Sequence, residues 1–460
     1  MSAQFKLTFC GGAGAVTGAN FLLEGEGVKI LVDCGLTQGC KFCEDVNRDP
    51  FPYDPAQIDV LIVTHSHIDH IGRIPLLVNR GFKGVIYSTN ATRELSEVML
   101  TDSMGLLNRD AERDKLPPFY EEGDIERAMA LWKDVPYHSE TKLPHGLVFS
   151  LKDAGHILGS AMVEITHIEE GVRGKTIVFS GDLGNSPAPL LPDTEIVTDA
   201  DYVVMESVYG NRTHDDREMR QARLRSVIET TIQQKGVLLV PAFSLERTQI
   251  MLYEINNLVE EKKIPQVPVY LDSPLAIAVT QIYKRHTKEL KRSIKDEIAG
   301  GDDIFSFPGL KFTKTSEESK AINEVRSPKI IIAGAGMSHG GRIQHHERRY
   351  LSVPTTTLLL VGYQVPGSVG RLLQDGARTI TIMGEKVPVR AKVITISGYS
   401  AHKDVDGLVQ FAEGFAGRAK QVFVAMGEPK AALFLVQRLR DYLDLDAVAP
   451  EKGATYTIEL

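Results

Sequence analysis

The amino-acid sequence predicts an α/β protein with more than one domain, and three observations support this prediction. The chain has 460 residues, which is long for a single hydrophobic core. Short apolar runs recur along it, and most are bounded by Gly, Pro or Asp, as buried strands are. Helical patterns stand between many of these runs, and this alternation is typical of helices packed against sheets.

The predicted strands extend from the N-terminal region to the C-terminal region. They are VKILVD (28–33), IDVLIV (58–63), KTIVFS (175–180), YVVMES (202–207), GVLLVPAF (236–243), VPVYLDS (267–273), PKIIIAG (328–334), TTLLLVGY (356–363), AKVITIS (391–397) and QVFVAM (421–426). The predicted helices include 217–234, 246–263 and a more polar surface helix over 284–300. No repeat or low-complexity linker marks a domain boundary, so the boundaries depend on motifs.

Composition and charge exclude several classes of protein. An apolar content of 43% and a charged content of 24% are those of a globular chain, not of a disordered or fibrous one. No run of eighteen or more apolar residues occurs, so we expect no membrane span. The N-terminal stretch MSAQFKLTFCGG lacks the basic start and apolar core of a signal peptide, and we expect a cytoplasmic protein. The net charge of −8 disfavours a non-specific nucleic-acid coat protein but allows a local basic groove.

The four cysteines all precede residue 44 and are too few for a disulfide framework in a chain of this length. Cys40 and Cys43 form a C-x-x-C pair that could hold a metal ion together with Cys34. Because no second pair or nearby His accompanies them, we interpret these three cysteines as buried or idle thiols.

The segment THSHIDH (64–70) places four metal-ligand residues, His65, His67, Asp69 and His70, within six positions at the end of a predicted strand. His65 and His67 are separated by one residue, so they point to the same side of an extended segment. Four ligands exceed what one tetrahedral zinc usually takes from so short a segment. We therefore predict two neighbouring metal ions that complete their shells from elsewhere in the chain. The alternative interpretation is a group of surface histidines.

Further ligand candidates lie at other strand ends and in glycine-flanked loops. His156 in KDAGHILGS lies where the backbone can approach closely. Asp182 directly follows a predicted strand, which suits a carboxylate that bridges two cations. Asp33 ends another strand and is suited to orienting a ligand or a bound water. His402 in SGYSAHKD again lies just past a strand.

These residues resemble the motifs of a known family. THSHIDH resembles the H-x-H-x-D-H signature of the metallo-β-lactamase fold. Other stretches resemble its β-CASP branch, the ribonuclease family related to the pre-mRNA 3′-end cleavage endonuclease. They are FCGGAGAVTGANFLLE, DCGLTQG, PAFSLERTQ, YLDSPLA, GMSHGGRIQHH, VGYQVPGSVGR and ISGYSAHKD. The resemblance covers essentially the whole chain, with the motifs in the family's order.

The resemblance implies an αββα metallo-β-lactamase sandwich with an inserted α/β β-CASP domain. It places the first part of the sandwich at 1–209, the insertion at 210–390 and the C-terminal return at 391–460. It also implies two Zn²⁺ ions per chain. By the family pattern, one zinc is held by His65, His67 and His156, the other by Asp69, His70 and His402, with Asp182 as the bridge and Glu206 as the family's acidic motif.

The same resemblance implies zinc-dependent hydrolysis of RNA phosphodiester bonds in a cleft between the two domains. The implied reaction is endonucleolytic, with 5′–3′ exonucleolytic cleavage as an additional mode. Two zinc ions about 3.5–4 Å apart lower the pKa of a shared water towards about 7 and supply hydroxide. RNA-cleaving relatives carry a His at the position of His402, whereas the DNA-repair branch tends to carry Val, so we expect RNA, in single-stranded form.

Two neighbouring histidines are candidates for protonating the leaving oxygen. These are His345 and His346 in GRIQHHERR, with Glu206 as a partner, although each His could equally cap or solvate a helix. Eukaryotic relatives carry another His where this chain has Leu372. Many relatives also carry a His where this chain has Met426.

Phosphate contacts are predicted at glycine-rich and strand-end turns, because backbone N–H groups and helix N-termini bind anions. The predicted residues are Arg247, Ser273, Gly336, Ser338, Arg342 and His345.

Three alternatives remain at this point. One is a DNA nuclease or other phosphodiesterase, and a second is a small-ester hydrolase on the same scaffold, which the long insertion disfavours. The third is a non-catalytic RNA-processing subunit, which the presence of every expected ligand disfavours. Many relatives dimerise, so a homodimer is an alternative to a monomer.

Overall fold

The computed structural model of the protein describes residues 3–38, 43–169, 171–214, 219–365 and 367–460. The chain divides into two compact units, Met1–Thr213 with His402–Leu460, and His214–Ala401. The predicted insertion, 210–390, has boundaries close to those of the second unit. No helix among the described residues is long and apolar enough to cross a membrane.

In the described residues the strands and helices are numbered in chain order. The strands are β1 (Gln4–Gly11), β2 (Asn20–Gly25), β3 (Val28–Val32), β4 (Val60–Ile62), β5 (Val85–Ser88), β6 (Trp132–Asp134), β7 (Thr141–Lys142), β8 (Leu147–Asp153), β9 (Ala161–Glu169), β10 (Val172–Phe179), β11 (Tyr202–Met205), β12 (Val237–Pro241), β13 (Val269–Leu271), β14 (Leu310–Phe312), β15 (Lys329–Ala333), β16 (Thr357–Leu360), β17 (Thr379–Ile382), β18 (Glu385–Pro388), β19 (Lys392–Thr395), β20 (Gln421–Val424), β21 (Ala447–Val448) and β22 (Thr455–Glu459). The helices are α1 (Cys43–Arg48), α2 (Ile68–Ile71), α3 (Ile74–Asn79), α4 (Asn90–Arg113), α5 (Glu122–Ala130), α6 (Arg220–Gln233), α7 (Arg247–Glu260), α8 (Pro274–Arg285), α9 (Arg292–Ala299), α10 (Ser316–Ala321), α11 (Ile343–Tyr350), α12 (Val369–Gln374), α13 (Val405–Glu413) and α14 (Pro429–Leu443).

The first unit is a sandwich of two seven-stranded sheets. Their strand orders are β22-β1-β2-β3-β4-β5-β6 and β21-β20-β11-β10-β9-β8-β7. Between the sheets lies an apolar core to which both contribute aromatic side chains, including Phe9, Phe21, Phe149, Phe179 and Phe423. Burial of such large side chains is the dominant stabilising contribution to a domain of this kind.

Helices cover the outer faces of both sheets. α3 and α5 pack over the first sheet, through residues such as Leu77 and Ile125. α13 and α14 pack over the second sheet, through Leu408 and Leu435. The αββα architecture predicted from the sequence is therefore confirmed.

The second unit is built on a six-stranded sheet in the order β14-β13-β15-β12-β16-β19, in which every pairing is parallel. Its central strands are continuous runs of buried Val, Leu and Ile, as strands covered on both faces are. Helices α7, α8, α11 and α12 follow the carboxyl ends of β12, β13, β15 and β16. A small hairpin, β17 with β18, completes the unit.

The structure confirms most predicted elements and corrects two. Each of the ten predicted strands overlaps an observed strand; nine of the observed strands are shorter than predicted, and β10 begins earlier, at Val172. The predicted helix 284–300 is divided, because α8 ends at Arg285, a 3₁₀ turn occupies Thr287–Glu289 and α9 begins at Arg292. β19, predicted to lie in the returning segment, instead pairs with β16 of the second unit, so the return begins later, at His402.

Candidate metal centre

The candidate ligands of the first unit follow the ends of neighbouring strands. β3 pairs in parallel with β4, and β10 pairs in parallel with β11, so the carboxyl ends of each pair meet at one edge of a sheet. Asp33 follows β3, His65 follows β4, Asp182 follows β10 and Glu206 follows β11. Strand pairing therefore brings together side chains that are far apart in the sequence.

The segment THSHIDH combines an extended stretch with the start of a helix. His65 and His67 precede α2, and His67 is its N-cap residue with extended backbone angles. Asp69 and His70 lie within α2 itself. Because the backbone changes direction at His67, His65 and His67 can point to one donor group while Asp69 and His70 point to another.

Loops supply the remaining donors, and a glycine in the loop after β10 determines the position of Asp182. His156 lies between β8 and β9, and His402 lies just before α13. Gly181 precedes Asp182 and has a φ of +53°, and a Cβ there would lie 2.8 Å from the Cβ of Thr64. A larger residue would displace this segment, so the position of Asp182 depends on the glycine.

One donor group consists of His65, His67, His156 and Asp182, whose ligand atoms lie within 4.8 Å of one another. His67 Nδ1 is 3.1 Å from His65 Nε2 and 3.3 Å from His156 Nε2. Asp182 Oδ2 is 3.4 Å from His65 Nε2 and 3.5 Å from His156 Nε2. Three imidazole nitrogens and a carboxylate oxygen form a donor set that suits a divalent cation such as zinc.

A second donor group shares Asp182. Asp182 Oδ1 is 3.4 Å from His70 Nε2, which is 4.0 Å from Asp69 Oδ2. His402 Nδ1 is 3.9 Å from Asp182 Oδ2 and 3.3 Å from Glu206 Oε1. The residues predicted for a second zinc therefore surround Asp182, and Glu206 adds a further carboxylate whose oxygen lies within 4.8 Å of donor atoms of Asp182 and His402.

Two buried polar atoms show that this donor set fits a metal. His70 Nε2 and Asp182 Oδ1 have no hydrogen-bond partner in the described part of the chain. Their residues are only 0% and 3% exposed, and a buried polar atom without a partner costs about 1–3 kcal/mol. A divalent cation bound by both groups would satisfy both atoms.

Burial and neighbouring charges perturb the imidazoles. Burial lowers the pKa of His67 and of His156 well below the usual value, so both rings are neutral and keep a lone pair for a cation. Burial also disfavours the charged form of His70. The carboxylates of Asp182 and Asp33 outweigh this effect and raise the pKa of His70 well above its usual value.

Glu206 is buried and pairs with His402, whose side chain is 22% exposed. Burial raises the pKa of Glu206, and the charge of His402 opposes this rise. Burial disfavours charged His402, but the Glu206 carboxylate outweighs it and raises the pKa of His402 to about 9. Glu206 Oε1 also accepts a hydrogen bond of 2.6 Å from the backbone N–H of Leu183, which fixes the carboxylate.

Asp33 lies behind His70. Its Oδ2 accepts hydrogen bonds from His70 Nδ1 (2.7 Å) and Thr64 Oγ1 (2.8 Å), and its Oδ1 accepts from the N–H of Thr64 (2.8 Å). Asp33 has a φ of +61°, a conformation that Asp and Asn adopt more readily than most residues. The bond to Nδ1 selects the His70 tautomer that leaves Nε2 available to a metal.

In the second unit, two of the predicted residues bind a carboxylate that the sequence did not single out. Arg342 Nη1 donates to Asp272 Oδ1 (2.7 Å) and to the carbonyl of Thr313 (3.0 Å). His346 Nε2 lies 2.7 Å from Asp272 Oδ2, to which Ser319 Oγ also donates (2.6 Å). The position of Asp272 at the end of a predicted strand was the available signal, but its partners are distant in the sequence.

Two predicted serines also have partners within the second unit. Ser273 is the N-cap of α8, and its Oγ accepts from the N–H of Ala276 and lies 3.3 Å from Ser244 Oγ. Ser338 Oγ donates to Glu347 Oε1 (2.5 Å). Burial raises the pKa of Glu347 to about 8.

The other predicted phosphate contacts differ in exposure. Arg247 begins α7 and is buried, whereas His345 is exposed on α11. Gly336 packs closely on Phe243, because a Cβ at Gly336 would lie 2.7 Å from the Phe243 ring. The roles of these residues in binding phosphate stay predictions.

The two positions that depart from the family pattern have different environments. Leu372 is 47% exposed on α12. Met426 is buried in the sandwich core, where its N–H donates to the carbonyl of Gly12 (2.6 Å) and its carbonyl accepts from the N–H of Ser207 (3.2 Å). Neither side chain can transfer a proton.

The cysteines are only partly as predicted. Cys34 is a buried free thiol. Cys43 is disulfide-bonded, so the prediction of an idle thiol is wrong at this position. Cys40 lies outside the described residues.

The fold and the donor groups together define a class, the metal-dependent hydrolases built on an αββα sandwich. Comparison with known proteins gives the family. The metallo-beta-lactamase superfamily matches residues 13–225, the Beta-Casp domain matches 248–373, and the Zn-dependent metallo-hydrolase RNA specificity domain matches 386–450. The chain belongs to the metallo-β-lactamase superfamily, in its β-CASP branch.

Individual relatives agree with this assignment. The chain is 35% identical over 425 residues to Ribonuclease TTHA0252 of Thermus thermophilus, covering 92% of this chain and 94% of that protein. It is 30% identical over 456 residues to an RNase J-like protein of Methanocaldococcus jannaschii, covering 98% and 99%. It is also 30% identical over 458 residues to Transcription termination factor FttA of Methanosarcina mazei, covering 96% of this chain and 70% of that protein.

A solved structure shares the fold. The crystal structure of a protein of unknown function from Enterococcus faecalis V583 covers 99% of this chain and 100% of its own, with a TM-score of 0.56 and 12% identity.

Proposed function

We propose that the chain is a ribonuclease that hydrolyses phosphodiester bonds of single-stranded RNA with two zinc ions per chain. The observation that carries this proposal is the division of the Asp182 carboxylate between two donor groups. Its Oδ2 faces His65 and His156, and its Oδ1 faces His70. The name of the Thermus relative and the match to an RNA specificity domain support RNA as the substrate.

The residues of the first unit have distinct proposed roles. His65, His67 and His156 would hold one cation and Asp69, His70 and His402 the other, with Asp182 shared between the two donor groups. Divalent cations held there would supply Lewis-acid chemistry, which activates a water near neutral pH and offsets negative charge on a phosphodiester.

Other residues keep these ligands in position. Asp33 Oδ2 accepts a hydrogen bond from His70 Nδ1–H, so the Nε2 lone pair of His70 points away from Asp33. Glu206, held by the N–H of Leu183, lies 3.3 Å from His402 Nδ1 and keeps that ring in position.

His346 is a weaker candidate for protonating the leaving oxygen than its position in the sequence suggested. Its Nε2 is engaged by Asp272, and its side chain is 2% exposed. We infer a positioning role for His346, and the proton on the leaving oxygen is proposed to come from another group or from water.

The test measures metal content and substrate choice together. The purified chain is assayed as isolated, after chelation and after addition of Zn²⁺, with metal counted by mass spectrometry. The substrates are 30-nucleotide RNA, DNA of the same sequence and duplex DNA, each labelled at either end. We expect two zinc ions per chain and cleavage of RNA at internal positions, lost on chelation and restored by zinc. Equal cleavage of single-stranded DNA, or one metal ion per fully active chain, would contradict the proposal.

A further inference from the structure

A basic segment of the second unit has no role in the metal centre. The segment KRHTKELKRSIK (284–295) contains six Lys and Arg residues and one acidic residue, Glu289, in a chain whose net charge is −8. It includes the end of α8, the 3₁₀ turn Thr287–Glu289 and the first half of α9. Two of its charged side chains have ion-pair partners nearby: Lys284 pairs with Asp303 (2.7 Å), and Glu289 pairs with His286 (2.9 Å).

Three cations of this segment, Lys288, Arg292 and Lys295, are exposed and form what we call the basic cluster. Lys295 Nζ donates to the carbonyl of Lys288 (3.4 Å), which places these two residues side by side. Arg292 and Lys295 are three positions apart in α9 and so share a helix face. Within the described chain, none of the three forms an ion pair with a carboxylate.

The charge distribution of α9 does not serve the stability of the helix. Arg292 begins α9, its first turn has no acidic residue, and the N-cap Lys291 makes no side-chain capping bond. The acidic residues Asp296 and Glu297 lie in its second half. Cations at a helix N-terminus and anions near the C-terminus oppose the helix dipole, at about 0.3–1 kcal/mol each. Helix stability therefore does not account for the cluster.

The cluster is held on a rigid base. Leu290 and Ile294 are both fully buried beneath it. Tyr253 of α7 hydrogen-bonds to both carboxylate oxygens of Glu297 (3.2 and 3.1 Å), which attaches α9 to α7. The cations therefore project from a fixed surface.

The basic segment is also separated from Ser273, one of the predicted phosphate contacts of the same unit. Ser273 caps the N-terminus of α8, and the basic segment begins at the other end of this twelve-residue helix. At 1.5 Å per residue, the two ends are roughly 18 Å apart. An RNA that contacts both Ser273 and the far end of α8 must therefore span several nucleotides.

We propose that the basic cluster is a docking surface for the sugar-phosphate backbone of RNA, separate from the cleavage site. The proposal rests on the proposed function in that the docked RNA is the substrate. Exposed cations without carboxylate partners bind a polyanion by releasing its counterions, without requiring a base sequence. The surface increases the affinity for long RNA and leaves the chemical step to the metal centre.

The test compares two variants of the zinc-loaded full chain that lose the same charge. One is Lys288→Gln/Arg292→Gln/Lys295→Gln. The control is Lys320→Gln/Arg326→Gln/Lys386→Gln, which removes three exposed cations elsewhere in the second unit. The substrates are a 30-nucleotide RNA and bis(p-nitrophenyl) phosphate, a small diester with no polymer backbone.

We expect the cluster variant to lower the ratio of kcat/KM on RNA to kcat/KM on the small diester about tenfold relative to the control, through a higher KM for RNA. The slope of log KM against log salt should become shallower by about 2, because three cations each contribute about 0.7 for single strands. Equal ratios in the two variants would overturn the docking surface and leave an acidic protein as the remaining partner for the cluster. Failure of the proposed function would appear in the unmodified protein, as hydrolysis of the small diester with intact RNA, and would remove this inference as well.

Discussion

Two buried aspartates, one in each unit, follow buried strands and contact histidine, yet their environments differ. Asp272 accepts hydrogen bonds from four side chains. Thr313 and Arg342 donate to Oδ1, and Ser319 and His346 donate to Oδ2. Oδ1 of Asp182 has no hydrogen-bond partner among the described residues. The two oxygens of this carboxylate face imidazole nitrogens at 3.4–3.9 Å. These distances are too long for good hydrogen bonds.

The difference distinguishes a structural carboxylate from a carboxylate that is suited to binding a metal ion. Hydrogen bonds, above all from His346, overcome the effect of burial and lower the pKa of Asp272 to about 2. A carboxylate saturated by donors has no free lone pair directed at a cation, whereas Asp182 has one. Five variants test this distinction, beginning with the largest expected effect.

Asp182→Asn should abolish function with little loss of folded structure. The amide cannot bind two cations, so we expect fewer than two zinc ions per chain and a fall in RNA cleavage of about 10³-fold or more. Metal counting and initial rates measure this. Asp199→Asn is the matched control, since Asp199 is a 79% exposed carboxylate of the same unit. Wild-type activity in the Asp182 variant would refute its role as a shared ligand.

Asp272→Asn should lower the stability of the fold and leave metal binding unchanged. It leaves Arg342 and His346 buried or half-buried without their acceptor, and breaking such a pair costs about 3–5 kcal/mol. We expect a lower urea midpoint by far-UV circular dichroism and an unchanged zinc content. The fluorescence of Trp132, the single tryptophan, reports separately on the first unit. Loss of zinc at unchanged stability would show that Asp272 is not a structural carboxylate.

The sequence allowed the fold to be predicted to a large extent, and it pointed to the residues that form the two donor groups. The ligand segment is local, and strand ends can be recognised from apolar runs that stop at Asp or Gly. Strands with one exposed face were missed, because they alternate and lack a continuous apolar run. β1, with its alternating exposed and buried residues, is an example.

The partners of Asp272 could not be predicted, and the reason is topological. Its four donors come from positions 313 to 346, and α10, α11 and the parallel pairing of β13 with β14 and β15 bring them to one place. Arg342 and His346 therefore appeared as candidates for phosphate binding and proton donation, because residue type alone does not reveal an internal acceptor.

Asp33→Asn should weaken metal binding without perturbing the backbone. Asn also adopts positive φ, so the substitution removes chiefly the negative charge of the group that accepts the hydrogen bond from His70. We expect zinc affinity to fall about 10- to 100-fold in competition with a chelator. Asp59→Asn, at an exposed carboxylate that accepts the N–H of Lys29, is the control. Equal zinc affinity in both variants would exclude the proposed support of His70.

Acid should remove the contribution of Asp272 in a defined window. Its pKa is lowered from 3.8 to about 2 on folding, so the ionised carboxylate stabilises the fold above about pH 4 and this stabilisation is lost as the pH falls through 2. The size of the effect is about 2 kcal/mol. The difference in unfolding free energy between wild type and Asp272→Asn should therefore shrink from pH 4 to pH 2. A constant difference over this window would show that the two proteins do not differ by an ionised carboxylate.

The smallest expected effect separates the two adjacent histidines of α11. His346 is 2% exposed and bound to Asp272, and His345 is exposed. If His346 acts through Asp272, His346→Gln should cost about 1–2 kcal/mol of stability and leave the pH profile of kcat unchanged. His345→Gln should alter stability by less than about 0.5 kcal/mol. A proton donor behaves differently, because its loss removes the alkaline limb of the kcat profile while stability is retained. That result for His346 would make its contact with Asp272 part of the catalytic machinery. Asp272 would then have a catalytic role, and the contrast between a structural Asp272 and a functional Asp182 would be lost.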